Sequence, residues 1–142
     1  MKRRLFQTGL ILVLLFSFTA FAGAESEMPV KLNVKQGEGD FVGGRLVALV
    51  RQRIEKSDKL KIAGEDEYML IVDMITMKIK GRPSSAYSYV VTFNAYGKQT
   101  PVLMHRLGIT GNTRVYNAAD SIVADFESLA AEARGRLKKS GE

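Results

Sequence analysis

Residues 68–79 read Tyr-Met-Leu-Ile-Val-Asp-Met-Ile-Thr-Met-Lys-Ile and are the longest strand candidate in the chain. Successive side chains of a strand point to opposite faces of its sheet. One face of this strand carries Tyr68, Leu70, Val72 and Met74. The other face carries Met69, Ile71, Ile75 and Met77, with Asp73 among them. Because a strand with one wet face shows polar residues at alternate positions, this pattern predicts a strand that is apolar on both faces over most of its length.

The segments that follow are typical of further strands joined by short turns. Residues 81–84 favour a turn, and residues 85–96 alternate as a second strand. Residues 97–99 form a hairpin connection to a third strand at residues 101–109. Strands this close in sequence are expected to pair as an antiparallel meander.

Two shorter strands are predicted nearer the amino terminus. Residues 29–35 and residues 59–63 each alternate apolar and polar side chains, which is the pattern of a half-buried strand. Residues 25–28 precede the first of them as a short acidic tail.

An amphipathic helix is predicted between these two strands. Its apolar residues recur at helical spacing from Asp40, the predicted N-cap, to about residue 57. Gly43 and Gly44 lower the helix propensity of its first turn. Either the helix begins at Gly44, or the glycines let it lie close to a strand.

A second amphipathic helix is predicted at the carboxyl end, with Asn117 as its N-cap. Its apolar stripe comprises Ala119, Ile122, Val123, Phe126, Leu129, Ala130, Ala133 and Leu137. The resulting order, β-α-β-β-β-β-α, predicts an α+β fold. We expect a two-layer sandwich in which a mainly antiparallel sheet of four or five strands has both helices on one face.

The first two dozen residues have the pattern of a secretory signal peptide. Three basic residues at positions 2–4 precede an apolar run at residues 10–21, and small residues follow around Ala22 and Ala24. A membrane-spanning helix needs about 20 apolar residues, so this run is too short to be one. We therefore predict a leader at residues 1–24 that is cleaved after Ala22 or Ala24.

The mature chain is then a single domain at residues 25–142, periplasmic or secreted from a bacterial cell. Removal of the leader takes away three cations and no acidic residue, which lowers the formal net charge from +6 to +3. The absence of cysteine excludes disulfides, thiolate metal sites, cysteine nucleophiles and lipid-modified cysteines. No second apolar run approaches spanning length, so we expect no transmembrane segment in the mature chain.

The element order resembles small α+β domains of the bacterial envelope. The resemblance rests on a helix ending in Arg-Ile-Glu-Lys-Ser at residues 53–57, the strand Leu-Lys-Ile at residues 60–62, and Tyr-Met-Leu-Ile-Val-Asp at residues 68–73. This order is similar to the amino-terminal domain of the Tol-system propeller protein and to the small lipoprotein subunit of the lipopolysaccharide-export machine. The resemblance implies an envelope protein with protein partners, although this chain has no cysteine for a lipid anchor.

Candidate catalytic and metal-binding groups are few. His105 lies in phase with the apolar residues of its predicted strand, and the sequence identifies no partner that would orient it as a general base. The Glu-Asp-Glu run at residues 65–67 lacks the spaced ligands of a calcium loop, and Gly-Glu-Gly-Asp at residues 37–40 lacks the lysine and spacing of a phosphate loop. We expect a non-enzymatic protein with no catalytic, cofactor-binding or metal-binding residues and no cofactor.

The basic residues do not indicate nucleic-acid binding. The mature charge of +3 is spread among acidic residues, and a leader implies export, so nucleic acid is not an expected partner. The cluster of Arg134, Arg136, Lys138 and Lys139 either complements the dipole of the last helix or makes a weak contact with anionic lipid.

The strand that is apolar on both faces suggests a function. Two helices cover one face of the sheet, so the apolar side chains of the other face are either covered by a partner or hidden by a loop or a bulge at Asp73. Our leading hypothesis is an interaction module that binds another envelope protein through an exposed sheet face or edge. The predicted binding surface is Tyr68, Leu70, Val72 and Met74.

Two other functions remain open from the sequence. A small-ligand or lipid carrier would have Tyr87, Tyr89, Phe93 and methionine side chains lining a cavity between helices and sheet. A hydrolase would depend on His105.

Export and cleavage can be read from the amino terminus of the protein recovered from the producing cell. We expect it to begin at Gly23 or Glu25, as measured by mass spectrometry or Edman sequencing. The substitution Ala22→Leu breaks the small-residue pattern of both cleavage sites and should block processing. A recovered chain that still begins at Met1 would contradict the predicted compartment.

Overall fold

The computed structural model describes residues 26–64, 69–95, 98–99 and 102–140. Its elements are β1 (Met28–Gln36), helix α1 (Phe41–Lys56), β2 (Leu60–Ile62), β3 (Leu70–Lys78), β4 (Ser84–Ala95), β5 (Lys98–Gln99), β6 (Met104–Gly111) and helix α2 (Val115–Ser140). The predicted α+β class and element order are confirmed.

The strands form one mixed sheet in the order β2-β1-β3-β4-β6, and the two-residue β5 pairs with the end of β4. Strand β1 runs parallel to both of its neighbours, β2 and β3. Strands β3, β4 and β6 form the expected antiparallel meander. The parallel pairing of β1 with β2 follows from helix α1, because a helical crossover returns the chain to the end of the sheet from which it started.

One face of the sheet and the facing sides of both helices form a single hydrophobic core. The sheet contributes Met28, Val30, Leu60, Leu70, Val72, Met74, Tyr89, Val91 and Phe93. The helices contribute Leu46, Val50, Ile54, Val115, Ala119, Ile122, Val123, Phe126, Leu129, Ala130 and Ala133. The ring of Tyr89 meets that of Phe126 edge to face, with centroids 5.5 Å apart. Edge-to-face contact is a favoured geometry for aromatic pairs, and it ties α2 to the middle of β4.

Helix α1 begins at a buried carboxylate. The predicted N-cap is confirmed, since Asp40 accepts a hydrogen bond from the backbone N–H of Gly43 at 2.9 Å. Its second oxygen accepts from the hydroxyl of Ser85 on β4 at 2.8 Å. A Cβ at Gly43 would overlap the Asp40 carboxylate and the Thr76 hydroxyl. Of the two explanations for the glycines, close approach to a strand therefore holds at Gly43, and the helix begins at Phe41.

Two predicted boundaries need correction. Helix α2 begins at Val115, so Asn117 lies in its first turn and is not the N-cap. The backbone N–H of Ala118 already donates to the carbonyl of Arg114, and Val115 is fully buried. Met28 is not part of a tail, because it belongs to β1 and is only 3% exposed. In both cases the helix or strand begins earlier than the local sequence pattern predicts, because its first residue is buried in the core.

The predicted leader, residues 1–24, lies outside the described residues. Within the described part of the chain, neither helix is long and apolar enough to cross a membrane.

The alternation in β3 predicts different costs for truncating two apolar side chains. Leu70 is 0% exposed, so Leu70→Ala should lower the free energy of unfolding by about 2–5 kcal/mol. Ile75 is 49% exposed, and Ile75→Ala, the matched control on the same strand, should cost less than about 1 kcal/mol. Urea unfolding followed by circular dichroism measures both values. Equal costs would contradict the assignment of the two faces.

Candidate functional site

The face of the sheet opposite the helices, which we call the open face, carries two apolar rows. The cross-strand neighbours are Ile75–Ser88–Leu107 in one row and Met77–Ala86–Ile109 in the other. Large side chains on β3 and β6 thus stand on either side of small side chains on β4. These six residues form a shallow channel, which we call the apolar trough.

The large side chains of the apolar trough are strongly exposed. Ile75 is 49%, Met77 63%, Leu107 76% and Ile109 70% exposed. Because adjacent strands lie about 4.8 Å apart, the two ridges of the trough are about 10 Å apart. Exposed apolar residues that occur singly are normal, whereas a contiguous group of this kind marks an interaction surface in many proteins.

The structure corrects the predicted binding surface. Leu70, Val72 and Met74 are at most 1% exposed and pack in the core, so they cannot present a free surface in this fold. The fourth predicted residue, Tyr68, lies outside the described residues. Strand β3 is apolar on both faces, as predicted. Its exposed face, however, is the one that carries Ile75 and Met77.

Strand β3 runs without a bulge. Its pairing with β4 keeps one register from Leu70↔Phe93 to Lys78↔Ser85. Asp73 therefore lies on the open face, where its carboxylate accepts a hydrogen bond from the side-chain amide of Asn33 at 2.8 Å. A re-phased strand that would hide the apolar side chains is excluded for β3.

The β1 side of the open face carries two lysines. Lys35 is the cross-strand neighbour of Ile75 and extends that row of the trough, and Lys31 is the neighbour of Ile71. The open face thus changes from apolar at β6 to polar at β1, where Lys31 and Lys35 flank the pair of Asn33 with Asp73.

Strand β6 is held to helix α2 by three polar side chains on the core side of the sheet. The Tyr89 hydroxyl donates to Asp125 Oδ2 at 2.5 Å. Arg106 Nε lies 3.1 Å from the same oxygen, and Arg106 is the cross-strand neighbour of Tyr89. One carboxylate on α2 therefore binds β4 and β6 together, which fixes the strand that supplies Leu107 and Ile109.

Burial raises the pKa of Tyr89 well above its ordinary value near 10. The hydrogen bond to Asp125 and the negative charge of that carboxylate raise it further, while Arg106 lowers it. The folded protein therefore holds the phenolic proton more tightly than the unfolded chain does.

The candidate catalytic and ligand-binding residues are scattered. His105 is exposed on the open face, and no described side chain forms a hydrogen bond or ion pair with it. Residues 65–67 lie outside the described residues. At residues 37–40 the Asp40 carboxylate itself occupies the helix N-terminus, which leaves no room there for a phosphate. No group of three metal-ligating side chains occurs in the described part of the chain.

The aromatic residues expected to line a carrier cavity are packed against other side chains. Tyr89 and Phe93 are buried, and the Tyr87 ring stacks on that of Tyr89 with centroids 6.5 Å apart. Two surface clefts have volumes of about 390 and 210 Å³, and neither is lined by these three aromatic residues. The larger cleft lies between the two helices, beside the ion pair of Arg53 with Asp120 at 2.6 Å.

Two members of the basic cluster on α2 make contacts within the fold. Arg134 donates to the backbone carbonyls of Ser26 and Lys59, both at 2.8 Å. Arg136 pairs with Glu132 one turn away. Lys139 is exposed. The guanidinium of Arg134 thus anchors the start of β1 and the entry to β2.

Comparison with known protein families and with curated proteins finds no match for this chain.

The raised pKa of Tyr89 predicts a loss of stability at alkaline pH. Since the unfolded chain ionises first, the stabilisation is complete below pH ~10 and falls above it, by about 1.4 kcal/mol per pH unit for one proton. The variant Tyr89→Phe should lack this dependence, whereas Tyr116→Phe, whose ring is 46% exposed, should retain it. Urea unfolding between pH ~8 and pH ~12 measures the difference. An identical alkaline slope in Tyr89→Phe would show that this phenol is not the group responsible.

Proposed function

We propose that this chain is an exported, non-enzymatic binding module of the bacterial envelope, and that its open face binds another envelope protein. The observation that carries the proposal is the apolar trough, where four large apolar side chains lie 49–76% exposed on one contiguous surface.

The energetic argument is the cost of leaving these side chains in water. Burying an apolar side chain contributes about 1.5–3 kcal/mol when it is fully exposed beforehand. Covering four half- to mostly exposed side chains therefore contributes several kcal/mol to the binding of a partner. Among the described residues, both helices pack against the opposite face and leave these side chains uncovered.

The shape and charge of the open face favour a particular kind of partner. Ridges about 10 Å apart match the 10–12 Å diameter of an α-helix with its side chains. The position of Lys35 favours an acidic residue on the side of the partner that faces β1. The partner we propose is an amphipathic helix of an envelope protein, with an apolar side bordered by an acidic residue.

The sequence supports the proposed location of the protein in the bacterial envelope. The leader pattern at residues 1–24 and the element order that resembles small envelope domains both favour export to the periplasm or beyond. The described aromatic residues are packed against other side chains, which gives no support to the carrier alternative.

The proposal can be tested by site-specific crosslinking followed by binding measurements. A photo-crosslinking residue at Ser88, on the floor of the trough, should capture one envelope protein in intact cells. The captured protein is then purified and titrated against the chain by calorimetry. The double substitution Ile75→Lys and Met77→Lys should weaken binding at least tenfold, about 1.4 kcal/mol, because it places charge in the apolar contact.

The matched control is Phe41→Lys on helix α1. Phe41 is 85% exposed, so this variant makes the same chemical change at an apolar side chain outside the sheet, and binding should be unchanged. Circular dichroism should show that all variants are folded. Equal affinity for the trough variant and the native chain, or crosslinking at Ser88 only to another copy of this chain, would overturn the proposal.

A further inference from the structure

Strand β6 forms a long edge of the sheet. Among the described residues it pairs only with β4, in one register along all eight residues of Met104–Gly111. The opposite edge is β2, which has three residues. Proteins protect sheet edges with short strands, lysine, proline or bulges. Strand β2 is protected by its short length, whereas β6 carries one charged residue, Arg106, no lysine, proline or acidic residue, and no bulge between Met104 and Gly111.

The backbone groups that face the free edge can be identified from the pairing. The N–H of Ile79 donates to the carbonyl of Ser84, so even-numbered residues of β4 point their backbone groups towards β3. Because these groups alternate along a strand, the odd-numbered residues of β4 face β6 and bond its even-numbered residues. The backbone N–H and C=O groups of His105, Leu107, Ile109 and Gly111 therefore point outwards.

We propose that this edge pairs antiparallel with β6 of a second copy of the chain, around a two-fold axis through Gly108. In this register the outward-facing residues of the two strands meet each other. Leu107 lies opposite Ile109 of the second copy, and Arg106 lies opposite Thr110 of the second copy. The two sheets become one, and the two apolar troughs lie side by side.

The edge is self-complementary in charge and shape. The only formal charge on β6 is Arg106, whose guanidinium is already neutralised by Asp125 of its own chain. Leu107 and Ile109, 76% and 70% exposed, cover each other across the axis. A Cβ at Gly108 would overlap the Tyr87 ring, so that ring lies over the strand on the core side and shields the axis from the side of the helices.

The expected dimer is weak. Pairing of one edge strand buries much less than the roughly 1,200–2,000 Å² of a standard stable interface. The two copies should therefore exchange between monomer and dimer as a function of concentration. This inference concerns the edge of the sheet and does not depend on the partner proposed for the trough.

Sedimentation velocity between about 1 µM and about 1 mM measures the association of the purified chain. We expect a concentration-dependent shift from monomer to dimer. Amide hydrogen exchange measured by NMR locates the contact. At high protein concentration, the outward-facing amides at residues 105, 107, 109 and 111 should exchange at least about tenfold more slowly than at low concentration. The amides at residues 106, 108 and 110 already bond β4 and serve as the internal reference.

Substitutions test edge pairing, and Ile75→Lys separates it from binding at the trough, to which Leu107 and Ile109 also belong. Leu107→Lys and Ile109→Lys each place a cation on the edge and should abolish the dimer, and two variants are used in case one does not fold. Ile75→Lys places the same charge on an inner strand. It should leave the dimer intact while it weakens binding of the partner at the trough. A monomer at every concentration, or a dimer that survives both edge substitutions, overturns the proposal. So does protection of the outward-facing amides that appears only when another envelope protein is added.

Discussion

Two helices can cover only one face of this five-stranded sheet, and that constraint determines the rest of the molecule. The alternation of side chains along β3 assigns Leu70, Val72 and Met74 to the helices and leaves Ile75 and Met77 on the other side. A shift of one residue would exchange the two sets completely. Both the hydrophobic core and the exposed apolar surface follow from this single choice of register.

Two carboxylates, the buried Asp40 and the partly buried Asp125, place the helices on the sheet. Asp40 starts α1 and bonds Ser85 of β4, and Asp125 of α2 bonds Tyr89 of β4. Each of these hydrogen bonds forms at only one position of the helix on the sheet, whereas apolar packing alone tolerates small displacements of the helix. Since a buried polar group that loses its partner is costly, both contacts disfavour alternative helix positions. The orientation of the apolar trough therefore depends on polar contacts made on the opposite side of the sheet.

Local patterns in the sequence were sufficient for the element order, for the N-cap at Asp40 and for the antiparallel meander. They were insufficient for the face of β3 that is buried, because its two sides differ little in hydrophobicity. That choice depends on neighbours such as Phe93 and Val91, which pairing brings beside Leu70 and Val72. The role of Asp125 could not be predicted from the sequence. Its carboxylate becomes important only because the fold places Tyr89 of β4 and Arg106 of β6 within hydrogen-bonding distance of it.

The parallel placement of β1 has a consequence for how the chain acquires its structure. Its hydrogen-bonding partners arrive much later, as the contact between Asn33 and Asp73, 40 residues apart, illustrates. The core is completed only by Phe126. A polypeptide that emerges amino terminus first from a ribosome must therefore keep one edge of the partly apolar β1 unpaired until the residues of β3 have followed. Contacts between residues far apart in the chain form more slowly than those of a hairpin, so we expect this fold to form more slowly than a hairpin-first fold of the same length.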